Sequence, residues 1–371
     1  MADPPDSEAY DIVVVGAGPA GSSAARAAAR RGARVLLVDR RKQIGVPVQC
    51  AELVSQWVTR HACISTGCIV QATDSMVTHL LDDTSLHKTY EMKSPGYMLD
   101  RSLFDQELAS AAVSAGATLL PGTKAIGLSS GGLWVEGESR KEAIRSKVII
   151  AADGVHSLIS RWIGLPSMKT MVALQYEMVI PRLQHQAEVF FHPDYEGGYA
   201  WFFPKGRTAN VGLGTVPSKT PLLSQLLDQF IDRLVELKKL PGLEIIGKTG
   251  GSIPCEKPRQ TVLDHILLVG DAAGHAHPIT GAGILNAVVG GEIAGRVAAE
   301  AVSKGDLKHL LTYETEWRET FGEFLSYGAM KREFLEKNWK SPEMGFEDLI
   351  RKTWVGFKDY YKGRRKNEER E

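Results

Sequence analysis

The hydrophobic pattern separates the chain into segments of different period. Residues 12–15 and 35–38 are short, unbroken apolar runs, the pattern of strands buried on both faces. An Ala-rich stretch running to Arg31 lies between them and reads as a helix. Residues 147–152 and 266–269 repeat the short apolar type. From about Met171 to Val216 the pattern changes: residues 172–180, 187–191, 198–203 and 209–215 read as strands with no helix between them, which predicts an antiparallel sheet. Helical spacing predicts a helix over 222–240, apolar at Leu223, Leu226, Leu227, Phe230, Ile231 and Leu234. A second helix leads from Arg101 to Ala115, with Leu103, Phe104, Leu108, Ala111 and Ala112 as its apolar face and Gly116 as its stop. The weaker signals are loosely paired strands over 76–90, short strands at 118–120, 125–128 and 133–136, and a helical pattern after Cys50. A long small-residue helix starts near Gly281, and 307–361 is mostly helical and aromatic.

Between the first two apolar runs stands Gly16-Ala17-Gly18-Pro19-Ala20-Gly21, and the second run ends at Asp39-Arg40. Strand, glycine loop, helix, strand and terminal acid fall at the spacing of a Rossmann-type dinucleotide site. Gly16 permits the tight turn, Gly18 lets the backbone approach a pyrophosphate, and Gly21 lets the helix pack on the sheet. The helix start presents free N–H groups and positive charge to the phosphates, while Asp39 is placed to accept from a ribose. By itself the motif leaves NAD(P) and FAD both open.

A second constellation lies far along the chain. The run VGDAAGHAHPITGAGILNAVVGGEIAG, residues 269–295, delivers Asp271 at the end of a strand and then Gly281, Gly283 and Ile284 at a helix start. Such a carboxylate suits a sugar-alcohol chain, and such a helix start suits the anionic edge of a reduced flavin. The reading that follows is an α/β chain. A discontinuous Rossmann-type domain (1–168 and 262–305) carries an inserted antiparallel β-sheet substrate domain (169–261) and a helical C-terminus (306–371).

At 371 residues the chain has ample material for this plan, and its composition, 43% hydrophobic and 24% charged, is that of a globular protein. The formal net charge of +0 gives no global field for nucleic acid. The acidic start MADPPDSEAY has no signal-peptide pattern, and no apolar run is long enough to cross a membrane; a cytoplasmic protein is expected. Cys50, Cys63, Cys68 and Cys255 show no paired spacing of a zinc site, so no metal is expected and free thiols are.

Together, GAGPAG, Asp39, Arg101 followed by Ser-Leu-Phe-Asp, Ala152-Asp153-Gly154-x-x-Ser157 and Gly270-Asp271-Ala272-Ala273 resemble the aromatic-hydroxylase (group A) FAD superfamily. The resemblance implies FAD, with Asp271 on the ribityl chain, Asp153 near the pyrophosphate, Arg101 touching the cofactor and Ala125 at the adenine. Within that superfamily the chain most resembles the geranylgeranyl reductases. The loop Gly45-Val46-Pro47-Val48-Gln49-Cys50-Ala51-Glu52 is similar to their Gly-x-Pro-Val-x-Cys-Gly-Glu loop, and Tyr199-Ala200-Trp201-Phe202-Phe203-Pro204-Lys205 to their Tyr-x-Trp-x-Phe-Pro-Lys strand. This implies reduction of isoprenoid double bonds in a lipid, quinone or other prenyl substrate, with Cys50 and Ala51 close to the flavin.

Three departures stand out. Asp39 replaces the family's Glu, one methylene shorter, which implies a weaker or water-bridged ribose contact. Ala51 and Leu53 replace glycines after the cysteine, and the chain is short for the family. Cys50, Tyr199 and Trp201 are the catalytic candidates: Cys50 beside the flavin, the two aromatics lining an apolar tunnel, each with a plain core reading as its alternative. His275 and His277 are candidates for proton relay or for loop hydrogen bonds. No second glycine fingerprint appears, so the reductant, NAD(P)H or ferredoxin, is expected to dock transiently. The basic, aromatic segment 331–366 suits either peripheral membrane contact or ordinary packing. An FAD monooxygenase or halogenase shares the scaffold, although Tyr199-x-Trp201-x-Phe203-Pro204 lacks the first Trp and the Ile of halogenases. A quinone-linked electron-transfer flavoprotein is the third reading.

Overall fold

The computed structural model describes residues 9–82, 86–138 and 141–362; the acidic start and the charged tail beyond residue 362 lie outside them. In chain order, β1 (Ala9–Val15) crosses through α1 (Pro19–Ala29) to β2 (Val35–Asp39). Next come β3 (Leu53–Ser55), the single turn α2 (Val58–His61) and the long hairpin β4 (Ile69–Leu81) and β5 (Leu86–Leu99). Helix α3 (Arg101–Ser114) leads to β6 (Thr118–Pro121), β7 (Lys124–Ser129), β8 (Gly132–Glu136) and β9 (Lys141–Ala151). After α4 (Leu158–Trp162) the chain forms β10 (Thr170–Val179), β11 (Gln186–Phe191), β12 (Tyr199–Lys205), β13 (Thr208–Thr215), α5 (Leu223–Glu236) and β14 (Ile245–Pro254). It ends through β15 (Val262–Leu263), β16 (Ile266–Leu268) and helices α6 (Ile284–Lys304), α7 (Leu311–Trp317), α8 (Glu323–Asn338) and α9 (Phe346–Thr353).

Two eight-stranded sheets result. The first runs β15-β16-β9-β1-β2-β6, with β7 and β8 joined to β9. Its β1, β2, β6, β9 and β16 are parallel, and the apolar runs of all but the edge strand β6 are buried on both faces, as their composition requires. Helices α1 and α6 pack on it through small residues. A Cβ on Gly291 would overlap the Ala20 carbonyl, and one on Gly295 the Ala24 carbonyl. That close approach sets the start of α6 beside the start of α1, although almost 270 residues separate them in sequence.

The second sheet runs β14-β10-β13-β12-β11-β4-β5-β3, with the apolar face of α5 laid on it. Here the structure corrects the expected division of the chain. Residues 53–99, expected in the first unit, supply β3, β4 and β5 to this sheet. Nor is the sheet wholly antiparallel, because β4 pairs parallel with β11, Gln186 opposite Ser75 through Phe191 opposite Leu80. Register shifts along the β4–β5 hairpin blur its alternation, which hid its length. The helical pattern expected after Cys50 gives β3 instead, held by pairing of Leu53 with Met98, and only one turn of helix. Strand β14, rich in glycine and so weak in strand propensity, was not expected at all; pairing along β10 forms it. Among the described residues no helix is long and apolar enough to cross a membrane.

Candidate functional site

Parallel register brings the cofactor motifs to one edge. Val15 is level with Val38 and with Ala151, and Ala151 with Leu268. The residues that follow these strand ends, Gly16, Asp39, Asp153 and Asp271, therefore meet at the carboxyl edge of the sheet, where ligands bind in such folds. Gly16 has φ +102, and a Cβ there would press on the Ala152 carbonyl; one on Gly21 would overlap the Gly16 carbonyl. Both glycines serve close packing within the chain. Gly18 differs: a Cβ there would meet nothing within 4 Å, so the chain itself does not require a glycine at this place. Asp39 Oδ2 accepts from Ala17 N at 2.7 Å and Oδ1 from Arg41 N at 2.7 Å, which fixes the acid against the glycine loop. Ala20 is buried between Gly270 and Gly291, and Arg40 is exposed.

Several groups along this edge stay open. Helix α1 starts at Gly18 and α6 at Gly283, and neither has a side-chain cap. Gly281, with φ +68, turns the chain into the start of α6, where Ile284 is half-buried. No hydrogen bond reaches the Asp271 carboxylate among the described residues, and Gly283 leaves the space beside its Oδ1. Burial pushes the Asp271 carboxyl above its ordinary range, opposed by the Arg101 guanidinium. Asp153 Oδ2 accepts from Leu158 N at 2.8 Å, but its Oδ1 is buried without a partner. Two uncapped helix starts, an open glycine cradle and two unsatisfied carboxylate oxygens match what FAD brings: a diphosphate, ribityl hydroxyls and an electron-poor ring. The residues fit the cofactor. Ala125 follows two residues after Thr123, whose N–H donates to the Asp39 carbonyl at 2.8 Å, and its methyl group is buried with Val135 and Ile144.

The other side of the site belongs to the second sheet. Cys50 is half-buried; its Sγ accepts from Glu52 N at 3.2 Å and lies beside the Arg101 guanidinium, which is paired with Asp105. Trp201 Nε1 donates to Gln175 Oε1 at 2.9 Å, and Gln175 Nε2 donates to the Cys50 carbonyl at 3.1 Å. The indole fits because its cross-strand partner is Gly212, where any Cβ would strike the ring. Tyr199 Oη donates to the Thr280 carbonyl at 2.6 Å, and burial pushes its phenol well up. Tyr199 and Trp201, with Met171, Ile253, Pro278 and Gly281, line a small apolar cleft that runs up to the α6 loop.

Sequence reasoning left Gln175, Asn210 and Thr280 out of the site. Glu52 and Lys205 stood inside the quoted loop and strand matches, a signal that was present but unused. Of the two alternatives for His275 and His277, proton relay or loop hydrogen bonds, His277 makes loop hydrogen bonds, while both ring nitrogens of His275 are buried without a partner among the described residues. Both rings are buried under the C-terminal helices, and burial lowers them to about 3 and about 4, so they are neutral at pH 7. His277 Nδ1 accepts from Thr280 N at 3.2 Å and its Nε2 meets the Tyr360 hydroxyl at 3.2 Å, the plain loop role.

This fold and this site define an FAD-dependent oxidoreductase. Residues 11–158 match the family model of FAD dependent oxidoreductases and residues 170–253 that of the geranylgeranyl reductase catalytic domain. The digeranylgeranylglycerophospholipid reductase 2 of Methanopyrus kandleri is 37% identical over 368 residues, covering 92% of this chain and 92% of the relative. The solved structure of a geranylgeranyl bacteriochlorophyll reductase-like protein from Thermoplasma acidophilum superposes with a TM-score of 0.80 at 28% identity, over 94% of this chain and 97% of that one. The chain belongs to the geranylgeranyl reductase family. A myxobacterial chondrochloren halogenase shares the fold alone, with a TM-score of 0.70 at 18% identity over 86% and 82% of the two chains.

Proposed function

We propose that this protein reduces geranylgeranyl-type C=C bonds of a prenyl lipid. The observation that carries the reading is the aromatic cleft of Tyr199 and Trp201, which ends on the same 280–284 loop that starts α6. An alkene has no polar handle, so such a substrate is bound by apolar walls and shape rather than by hydrogen bonds. Bound reduced FAD supplies the hydride chemistry; the chain supplies binding, orientation and exclusion of water. Gly16, Gly18, Ala20, Gly21, Asp39, Arg40 and Asp153 are assigned to the adenosine and diphosphate half, with Ala125 at the adenine. Arg101, Asp271, Gly281, Gly283, Ile284 and the Cys50-Ala51 turn are assigned to the flavin half. Tyr199 and Trp201 wall the substrate, and Cys50 Sγ, beside Arg101, is assigned to face the reacting bond between cleft and cofactor.

NAD(P)H or a ferredoxin is the proposed transient reductant. Membrane contact, from the cytoplasmic side, is assigned to the C-terminal helices, where Met330, Phe334 and Tyr361 are exposed around Lys331. The family match favours this reading over a monooxygenase, a halogenase or an electron-transfer flavoprotein. The test is anaerobic: the protein is reduced, and reoxidation of its flavin is followed with a geranylgeranyl lipid and, separately, with oxygen plus an aromatic acceptor. Reoxidation by the lipid with a saturated product is expected. Turnover with oxygen and the aromatic acceptor alone would overturn the reading.

A further inference from the structure

Three successive peptide units at the Cys50 turn are held from the second sheet. Gln175 Nε2 donates to the Cys50 carbonyl at 3.1 Å, and Asn210 Nδ2 donates both to the Ala51 carbonyl at 3.1 Å and to Glu52 Oε2 at 2.9 Å. Lys205 Nζ reaches the same carboxylate oxygen at 2.6 Å. From the opposite side, Arg101 N donates to Glu52 Oε1 at 2.9 Å and Leu99 N to the Glu52 carbonyl at 2.9 Å. Glu52 itself is 2% exposed and has φ +67.

Each of these facts is costly alone. A left-handed backbone at a non-glycine residue is strained and persists only where its surroundings over-determine it. A buried ion pair seldom adds stability beyond what an apolar pair of the same volume would give. Their joint product is geometric. The left-handed turn aims the Glu52 N–H back at Cys50 Sγ, 3.2 Å away, and sets the thiol beside Arg101. The carboxylate joins the start of α3, which belongs to the cofactor side, to β12 and β13, which carry the cleft wall.

We propose that Glu52 is a positioning residue that fixes the Cys50 thiol between the cofactor edge and the substrate cleft. Once the carboxylate is gone, residue 52 loses its ties to Lys205, Asn210 and the Arg101 N–H, and only backbone contacts oppose the left-handed strain; the turn relaxes and the N–H leaves the sulfur. The inference rests on the reading of Cys50 as facing the reacting bond, but its thiol-labelling arm does not.

The test uses the full-length protein with FAD and three variants. Glu52→Gln removes the carboxylate, while Asn210→Ala and Gln175→Ala loosen the same turn without leaving the Lys205 ammonium unpaired. Two quantities are read: the rate of iodoacetamide alkylation at Cys50, followed on its peptide by mass spectrometry, and steady-state reduction of a geranylgeranyl lipid. Alkylation at Cys50 is expected to speed up several-fold in all three. In Glu52→Gln, kcat is expected to fall about 100-fold, the cost of an ångström-scale displacement, with KM for the lipid nearly unchanged. Wild-type alkylation in folded variants would overturn the proposal, with or without a loss of kcat. If Glu52→Gln does not fold, the other two variants decide by the same criterion. A wild-type protein that turns over no prenyl lipid, in which alkylation still responds to the variants, would retain Glu52 as the positioner of Cys50 and overturn the substrate reading alone.

Discussion

The two sides of the site are built on opposite plans. Along the cofactor edge the chain leaves its polar groups open: the starts of α1 and α6 have no side-chain caps, Asp153 Oδ1 is buried without a partner, and the Asp271 carboxylate has no hydrogen bond among the described residues. On the substrate side the polar atoms close on one another, Trp201 on Gln175, Gln175 on Cys50, Asn210 and Lys205 on Glu52, Tyr199 on Thr280. A buried unsatisfied group costs about 1–3 kcal/mol, so a row of them persists where a ligand completes it. A closed network needs no ligand and holds its shape in advance. The cradle is thus left for a ligand to complete, FAD in the proposed assignment, while the cleft wall is finished by the chain.

The comparison breaks most sharply at two glycines three residues apart. Gly21→Ala drives a Cβ into the Gly16 carbonyl and separates helix from strand, a backbone clash expected to cost at least about 3 kcal/mol. Gly18→Ala enters open space, at φ −78 and ψ −173 where alanine is at ease, and should keep the apoprotein within about 1 kcal/mol of wild type. Thermal melts of the apoproteins and FAD titrations separate the two effects. Gly21→Ala should lose its fold, and Gly18→Ala should keep it but bind FAD poorly. A Gly18→Ala protein with wild-type FAD affinity would show that this cradle does not hold the diphosphate.

Asp271→Asn sharpens the same contrast with a smaller effect. Because burial raises the folded-state value of this carboxyl above its unfolded one, its contribution to stability is fully present below about pH 4 and is lost as pH rises through the folded value. As pH rises through the folded value the apoprotein must either keep this carboxyl protonated or carry a charge that no hydrogen bond meets. The neutral amide removes that burden, so the apoprotein Tm of the variant relative to wild type should increase with pH, and the gain should vanish at low pH. FAD affinity should fall about 10- to 100-fold, the worth of hydrogen bonds to a charged acceptor. A Tm difference between variant and wild-type apoprotein that does not grow with pH would contradict the open-cradle account.

These differences also explain what was readable beforehand. The cradle lies in local sequence: glycines and acids at strand ends keep a fixed spacing because the strand-turn-helix geometry repeats, so Gly16 to Asp39 and Asp271 to Ile284 stood out. The closed network does not. Gln175 and Asn210 are ordinary polar residues on strands, and nothing within their own segments says that two strands of a second sheet bring them to residues 50–52. The same long-range pairing hid the full length of β4, whose partner β11 lies more than 100 residues away. The burial of His275 and His277 was unreadable for a related reason, since the helices that cover them come from the last quarter of the chain.

The smallest change tests a direct tie between the two plans. Tyr199 stands on the cleft wall, yet its hydroxyl donates to the carbonyl of Thr280 in the loop that starts α6. Burial keeps the phenol protonated throughout the working range, so the proton is committed to that carbonyl. Tyr199→Phe removes one hydrogen bond and leaves one acceptor unpaired, at a cost of about 1 kcal/mol, and the ring still fills the wall against Trp354 and Phe191. If the hydroxyl only ties loop to wall, kcat for the lipid should stay within about tenfold of wild type, below the range lost with a general acid. FAD affinity should hardly move. A kcat loss of about 100-fold or more at unchanged stability would place this proton in the chemistry. The wall would then be a source of reactive groups, and the division between an open cradle and a closed, passive cleft would fail at Tyr199.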